Sequence, residues 1–302
     1  MRSSDELDGG RVALIGAGSV GCMLAAHLGV AGCDIVVCGR TPLERIVMTI
    51  DGETVEHKVE WAAEPAELPP VRFVVLATKI HHTPAVADWL AALPADAVLL
   101  AAQNGVDHRA RISPLTDAEV VPTLVYPNAE RIGLGLVRVR RTGRGLVVPA
   151  DEGGRAVATM FENSGVEVEP VADFPTAAWE KLLFNVIANP ITALASRPLE
   201  VLSEPAVAEL GLGLALEAVA VAQAEGTKLT PEHARVALAW LQGLPGTVPS
   251  SMLQDRLAGR QMEHQGLLGP VLALGLRHAV PTPLTRAILA LLDALPVKGE
   301  RS

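Results

Sequence analysis

Through the first half of the chain, short apolar runs alternate with segments of helical period. Residues 11–15 form an apolar, β-leaning run that ends at Gly16, residues 19–31 have helical character, and residues 34–38 are a second apolar run. Strand, glycine turn, helix and strand in that order open a βαβ unit. Further strands are predicted at 72–77, 97–101 and 120–125, with a helix at 84–92 between two of them. The alternation predicts an open, mostly parallel sheet. Residues 134–148 predict an antiparallel hairpin turning at 142–145. A helix at 154–163 and a strand at 166–171 close this half.

Beyond residue 172 the strand signal fades. Helical periodicity returns at 176–189, 205–225, 231–242, 251–258, 263–278 and 283–295, punctuated by glycine and proline. The predicted organisation is an α/β, Rossmann-like dinucleotide-binding domain over 1–172 and an all-helical domain over 173–302.

Composition narrows the function. Apolar residues are 49% of the 302, enough to bury a substantial core in each domain. The net charge of −9 argues against nucleic acid or an anionic membrane as the main partner. The three cysteines, Cys22, Cys33 and Cys38, lack metal-site spacing and are odd in number, which favours a reducing, cytoplasmic setting. Residues 1–10 are polar and acidic, unlike a secretory leader, and no uncharged apolar run is long enough to predict a membrane span.

The segment Gly16-Ala17-Gly18-Ser19-Val20-Gly21 fits the G-x-G-x-x-G pattern between a strand and a helix. Gly16 permits the tight turn, Gly18 lets backbone approach a pyrophosphate, and Gly21 lets the helix pack on the strand. The N–H groups that open the helix then face phosphate. After the second strand, where an acidic residue would accept from the ribose hydroxyl of NAD, stand Gly39 and Arg40. An arginine fork suits a 2′-phosphate, so NADP(H) is the expected cofactor.

In the second half, Lys181, Asn185 and Asn189 recur every fourth residue on an otherwise apolar helix, and Pro190 is expected to end or kink it. Three polar groups on a buried face either satisfy neighbouring backbone or line a wet cleft. Trp61, Trp89 and Trp240 read as packing residues, His81-His82 as a loop or helix start, and the arginines at 138, 140, 141 and 144 as a solvated face.

With these landmarks in order, joined by Lys79, Gln103-Asn104-Gly105, and Ser250-Ser251-Met252-Leu253-Gln254-Asp255 followed by Glu263, the chain resembles the ketopantoate reductase (2-dehydropantoate 2-reductase) family over nearly its full length. The resemblance implies NADPH-dependent reduction of a 2-oxo acid, ketopantoate to pantoate in pantothenate biosynthesis, or of a related carbonyl compound. It implies Lys181 as general acid, Glu263 positioning it, Lys79 and Asn104 beside the nicotinamide, and Asn185, Asn189 and Ser251 on the substrate. A small carbonyl compound is the implied partner, and a homodimer is left open. Three positions depart from the family pattern: Leu199, Val248 and Leu268 stand where polar residues are usual. If they line the pocket, ketopantoate is expected to be a poor substrate. Two alternatives remain: a related dehydrogenase acting on an imine, opine-type or hydroxyacyl compound, and a non-catalytic NADP(H) sensor.

Overall fold

The structure, a computed structural model, describes residues 10–296; the polar start at 1–9 and residues 297–302 lie outside the described residues. Contacts divide the chain into two compact units. One runs to Gln103 and resumes over Asp107–Phe174, and the other comprises Asn104–Val106 and the chain from Pro175 onward.

The first unit begins with β1 (Arg11–Ile15), α1 (Ser19–Val30) and β2 (Asp34–Cys38). It continues through β3 (Arg45–Ile50), β4 (Glu53–Lys58), β5 (Glu60–Ala62) and β6 (Phe73–Leu76), then α2 (Ala87–Ala91), β7 (Val98–Ala101), α3 (His108–Ile112) and β8 (Glu119–Pro122). Six of these strands form one sheet in the order β5-β2-β1-β6-β7-β8, every neighbour parallel. The strands at its centre are continuous apolar runs because both faces are covered, by separate apolar clusters containing Leu14 and Val75 on one side and Ile15 and Val74 on the other.

Sequence patterning missed β3, β4 and β5. Outside-facing β4 is almost wholly polar, so it shows no apolar alternation. The turn that joins β3 to β4 was nevertheless written in the chain: Asp51 and Gly52 both take positive φ, 52° and 85°, as a two-residue type I′ hairpin requires.

The hairpin expected over 134–148 is a correction. The real hairpin joins β10 (Asn128–Gly133) to β11 (Leu136–Arg140), and its bend falls at residues 134 and 135. There β11 pairs parallel to β3 in a second sheet, of order β10-β11-β3-β4. The run at 120–125 breaks into β8 and the short β9 (Leu124–Val125), and β12 (Leu146–Pro149) pairs with β9 and with β13 (Val168–Val171) in a third sheet. Between β12 and β13 lies α4 (Glu152–Met160), capped by Asp151, whose carboxylate accepts from the Gly154 N–H at 2.9 Å.

The second unit is helical: α5 (Phe174–Ala195), α6 (Pro205–Ala224), α7 (Pro231–Gly243), α8 (Ser251–Leu257), α9 (His264–Arg277) and α10 (Pro283–Asp293). By length and composition α6 could cross a bilayer, although Glu209 and Glu217 interrupt it. Its buried face, including Leu214, Ala218 and Val221, packs into the same core as Leu183 and Ile187 of α5.

Candidate active site

At the end of β1 the chain makes the glycine turn. Gly16 takes φ +104°, and a Cβ there would lie 2.6 Å from the Thr78 backbone nitrogen. No side chain fits, so the loop that carries Lys79 passes directly against the turn. At Gly21 a Cβ would come within 2.1 Å of the Gly16 carbonyl oxygen, which holds the first turn of α1 tight against the loop. Gly18 differs: a Cβ on it would meet nothing within 4 Å, because it faces outward at the N-cap of α1. Ala17, Ser19 and Val20 complete the loop and the first turn of the helix. The geometry fits a pyrophosphate laid across the start of α1.

Beyond β2, Gly39 has φ +145° and is followed by exposed Arg40. The carboxamide of Gln103 knots the neighbouring loops. Its nitrogen donates to the Thr78 carbonyl (2.9 Å) and to the hydroxyls of Thr78 and Thr83 (both 3.0 Å), and its oxygen accepts from Arg111 (3.0 Å). Sequence reasoning placed Gln103 in a motif but gave it no task; here it anchors the residue before Lys79.

In the second unit, α5 carries Lys181, Asn185 and Asn189 on one face. Pro190 does not stop the helix, which runs on to Ala195. Proline forfeits one helical hydrogen bond, but Ile191 and Ala193 beyond it are buried in the core, and Thr192 donates back to the Ala188 carbonyl at 2.7 Å. Burial of the next turn therefore outweighs the break.

Asn189 is buried and both ends of its carboxamide are hydrogen-bonded. Its oxygen accepts from the Ser251 hydroxyl (3.2 Å) and the Met252 N–H (3.3 Å), while its nitrogen donates to the Asn185 side-chain oxygen (3.2 Å). Ser250, named in the sequence motif but given no role there, caps α8 by accepting from the Leu253 N–H and shares a 2.6 Å hydrogen bond with Thr192. Glu263, also buried, sits at the N-cap of α9 and accepts from the Asn104 side chain at 3.4 Å. Lys181 keeps part of its surface open, yet burial of the ammonium pulls its pKa down from 10.5 to about 8, against the Glu263 carboxylate, which raises it.

The second unit thus gathers Asn104, Lys181, Asn185, Asn189, Ser251 and Glu263, and the first gathers the glycine loop, Arg40 and Lys79. Two of the three altered positions lie in the helical core. Leu199 is 4% exposed and Leu268 0%, both within the helical core, and half-buried Val248 packs on that core. Leu199 and Leu268 fill the interior.

Two family models match the chain: ketopantoate reductase PanE/ApbA over residues 12–151, and the ketopantoate reductase PanE/ApbA C terminal over 173–296. The chain belongs to the ketopantoate reductase family. The 2-dehydropantoate 2-reductase of Caulobacter vibrioides is 34% identical over 94% of this chain and 98% of its own. That of Mycobacterium tuberculosis is 32% identical over 94% and 97%. Among solved structures, 2-dehydropantoate 2-reductase from Geobacter metallireducens superposes with a TM-score of 0.86 at 25% identity, covering 94% of this chain and 99% of that one. Like its family, this ketopantoate reductase relative is an oxidoreductase served by a nicotinamide dinucleotide, with a Rossmann-like unit and a helical unit.

Proposed function

We propose that the chain reduces ketopantoate to pantoate with NADPH in the cytoplasm, with Lys181 as the general acid. The observation that carries this reading is Lys181 itself: a desolvated ammonium beside a buried carboxylate, on a helix face shared with Asn185. NADPH, when bound, supplies a hydride to the carbonyl carbon. As the C–H bond forms, the π electrons of the carbonyl move to its oxygen. Lys181 Nζ stabilises that charge and gives up a proton, leaving a neutral amine that solvent recharges. Glu263 orients the ammonium and holds up its pKa, and Asn104 shares the same carboxylate.

Asn185 offers its amide N–H groups to the substrate carboxylate, and Ser251, whose hydroxyl proton goes to Asn189, offers its oxygen as an acceptor to a substrate hydroxyl, neither adding charge; Asn189 holds both in place. In the first unit the glycine loop would hold the pyrophosphate, Arg40 the 2′-phosphate and Lys79 the nicotinamide end. Three free thiols suit a reducing compartment. Leu199 and Leu268 lie in the helical core, so two of the three altered positions pack the interior and do not argue against a hydroxyl-bearing substrate.

Steady-state kinetics with NADPH and a panel of 2-oxo acids tests the proposal. The expected kcat/KM for ketopantoate is above about 10⁴ M⁻¹s⁻¹, within the ordinary enzyme range. A markedly better 2-oxo acid would reassign the substrate. NADPH binding without turnover of any carbonyl compound would make the chain a sensor.

A further inference from the structure

Trp61 was expected to be a packing residue, yet it is 40% exposed. It lies on β5, the edge strand, opposite Val37 of β2. Its indole N–H donates to the Gly39 carbonyl oxygen at 2.7 Å, and the Gly39 N–H donates to the Ala62 carbonyl at 3.0 Å. Both polar groups of Gly39 are thus taken by the strand on one side of β2. Gly39 needs this hold: at φ +145° a glycine has no side chain to restrain it.

A trans peptide sets its C=O and the following N–H antiparallel. The Gly39 carbonyl points to Trp61, so the Arg40 N–H is directed away from the indole. In sheet order, β1 and its glycine loop lie on the other side of β2 from β5. The turn after the second strand of such a sheet is where the adenosine ribose is read.

We infer that Trp61 is a positioning residue for cofactor choice. Its indole N–H locks the Gly39–Arg40 peptide so that Arg40 meets the 2′-phosphate of the adenosine ribose. This rests on the NADPH reading above. The indole holds the turn after β2, where the ribose is read, so its influence lies in discrimination between phosphorylated and unphosphorylated ribose.

The probes are 2′,5′-ADP and 5′-AMP, which differ only in that phosphate, titrated calorimetrically into the full chain. The unaltered protein is expected to prefer 2′,5′-ADP by roughly 10-fold or more. Equal affinities there would overturn the NADPH reading itself. Trp61→Phe keeps an aromatic ring and loses the N–H. It is expected to weaken 2′,5′-ADP by about 3- to 10-fold, the range of one hydrogen bond, and to change 5′-AMP less than about 2-fold. Full preference retained in folded Trp61→Phe, or equal loss for both ligands, would overturn the role of Trp61. In the unaltered protein labelled at the indole nitrogens, and with Trp89→Phe, Trp179→Phe and Trp240→Phe spectra assigning the Trp61 resonance by elimination, that resonance is expected to shift with 2′,5′-ADP and much less with 5′-AMP. Identical shifts for the two ligands would also overturn it.

Discussion

Lys181 is subject to two opposed forces. Desolvation disfavours its charged form and the Glu263 carboxylate favours it, and desolvation is the larger, leaving a pKa of about 8. At neutral pH Lys181 is still mostly protonated, yet far weaker bases can draw its proton than could deprotonate an ordinary lysine. The kcat/KM for reduction should therefore fall as pH rises through about 8. Because Glu263 raises the lysine pKa, Glu263→Gln should move that alkaline limb to lower pH; a limb that stays in place would deny the coupling. Lys181→Ala should cut kcat by roughly 10²–10⁴-fold with NADPH affinity little changed, by stopped-flow and fluorescence titration. Stability carries the same signature. Between pH 8 and 10.5 the unfolded chain holds a proton at Lys181 that the folded one has lost, so folding gains as pH rises. Relative to Lys181→Met, the unaltered protein should gain up to roughly 3 kcal/mol across that window in urea denaturation.

At the scale of elements, α5 and α8 are joined through Asn189. Removing its carboxamide leaves the Met252 N–H and the Ser251 hydroxyl without their acceptor. Asn189→Ala should destabilise the protein by about 1–3 kcal/mol in urea melts and, by releasing Asn185, raise the KM for the 2-oxo acid. At the other element junction, Gly21→Ala would drive a methyl into the Gly16 carbonyl, 2.1 Å away. It should abolish detectable NADPH binding by titration, because backbone cannot yield as a flexible side chain can. The four-residue spacing of Lys181, Asn185 and Asn189 was legible, since helix geometry alone puts those positions on one face. The length of α5 was not, because local rules stop a helix at Pro190 and only the burial of Ile191 and Ala193 carries it on.

For the molecule as a whole, the charge of −9 repels a cofactor that is itself an anion, so the proposed reading needs local groups to meet the phosphates: the amides opening α1 and Arg40. Binding to the folded state alone stabilises it by mass action, about 2.7 kcal/mol at a hundredfold excess over Kd. NADPH should raise the melting temperature more than NADH at equal concentration, and Arg40→Ala should level the two; equal shifts in the unaltered protein would remove Arg40 from cofactor choice. The arginines of the β10–β11 region are largely matched by acids, with Arg138 on Glu130, Arg141 on Asp51 and Arg144 on Glu169, so they make a balanced surface.

The sequence by itself determined the features that repeat or sit at fixed spacing. These are the glycine turn between β1 and α1, the buried parallel strands, the helical second half, and the polar stripe on α5. Each follows from backbone geometry within a few residues. Tertiary structure decided what depends on distant partners. The pairing of β11 with β3 placed the hairpin, since strand neighbours are chosen across the chain. The core claimed Leu199 and Leu268, positions whose chemistry alone suggested a changed pocket. Glu263, 82 positions beyond Lys181 (263 − 181), tempers the lysine's pKa only because folding brings their charges within mutual reach. Charge and burial act through space, and the chain alone specifies neither distance nor depth.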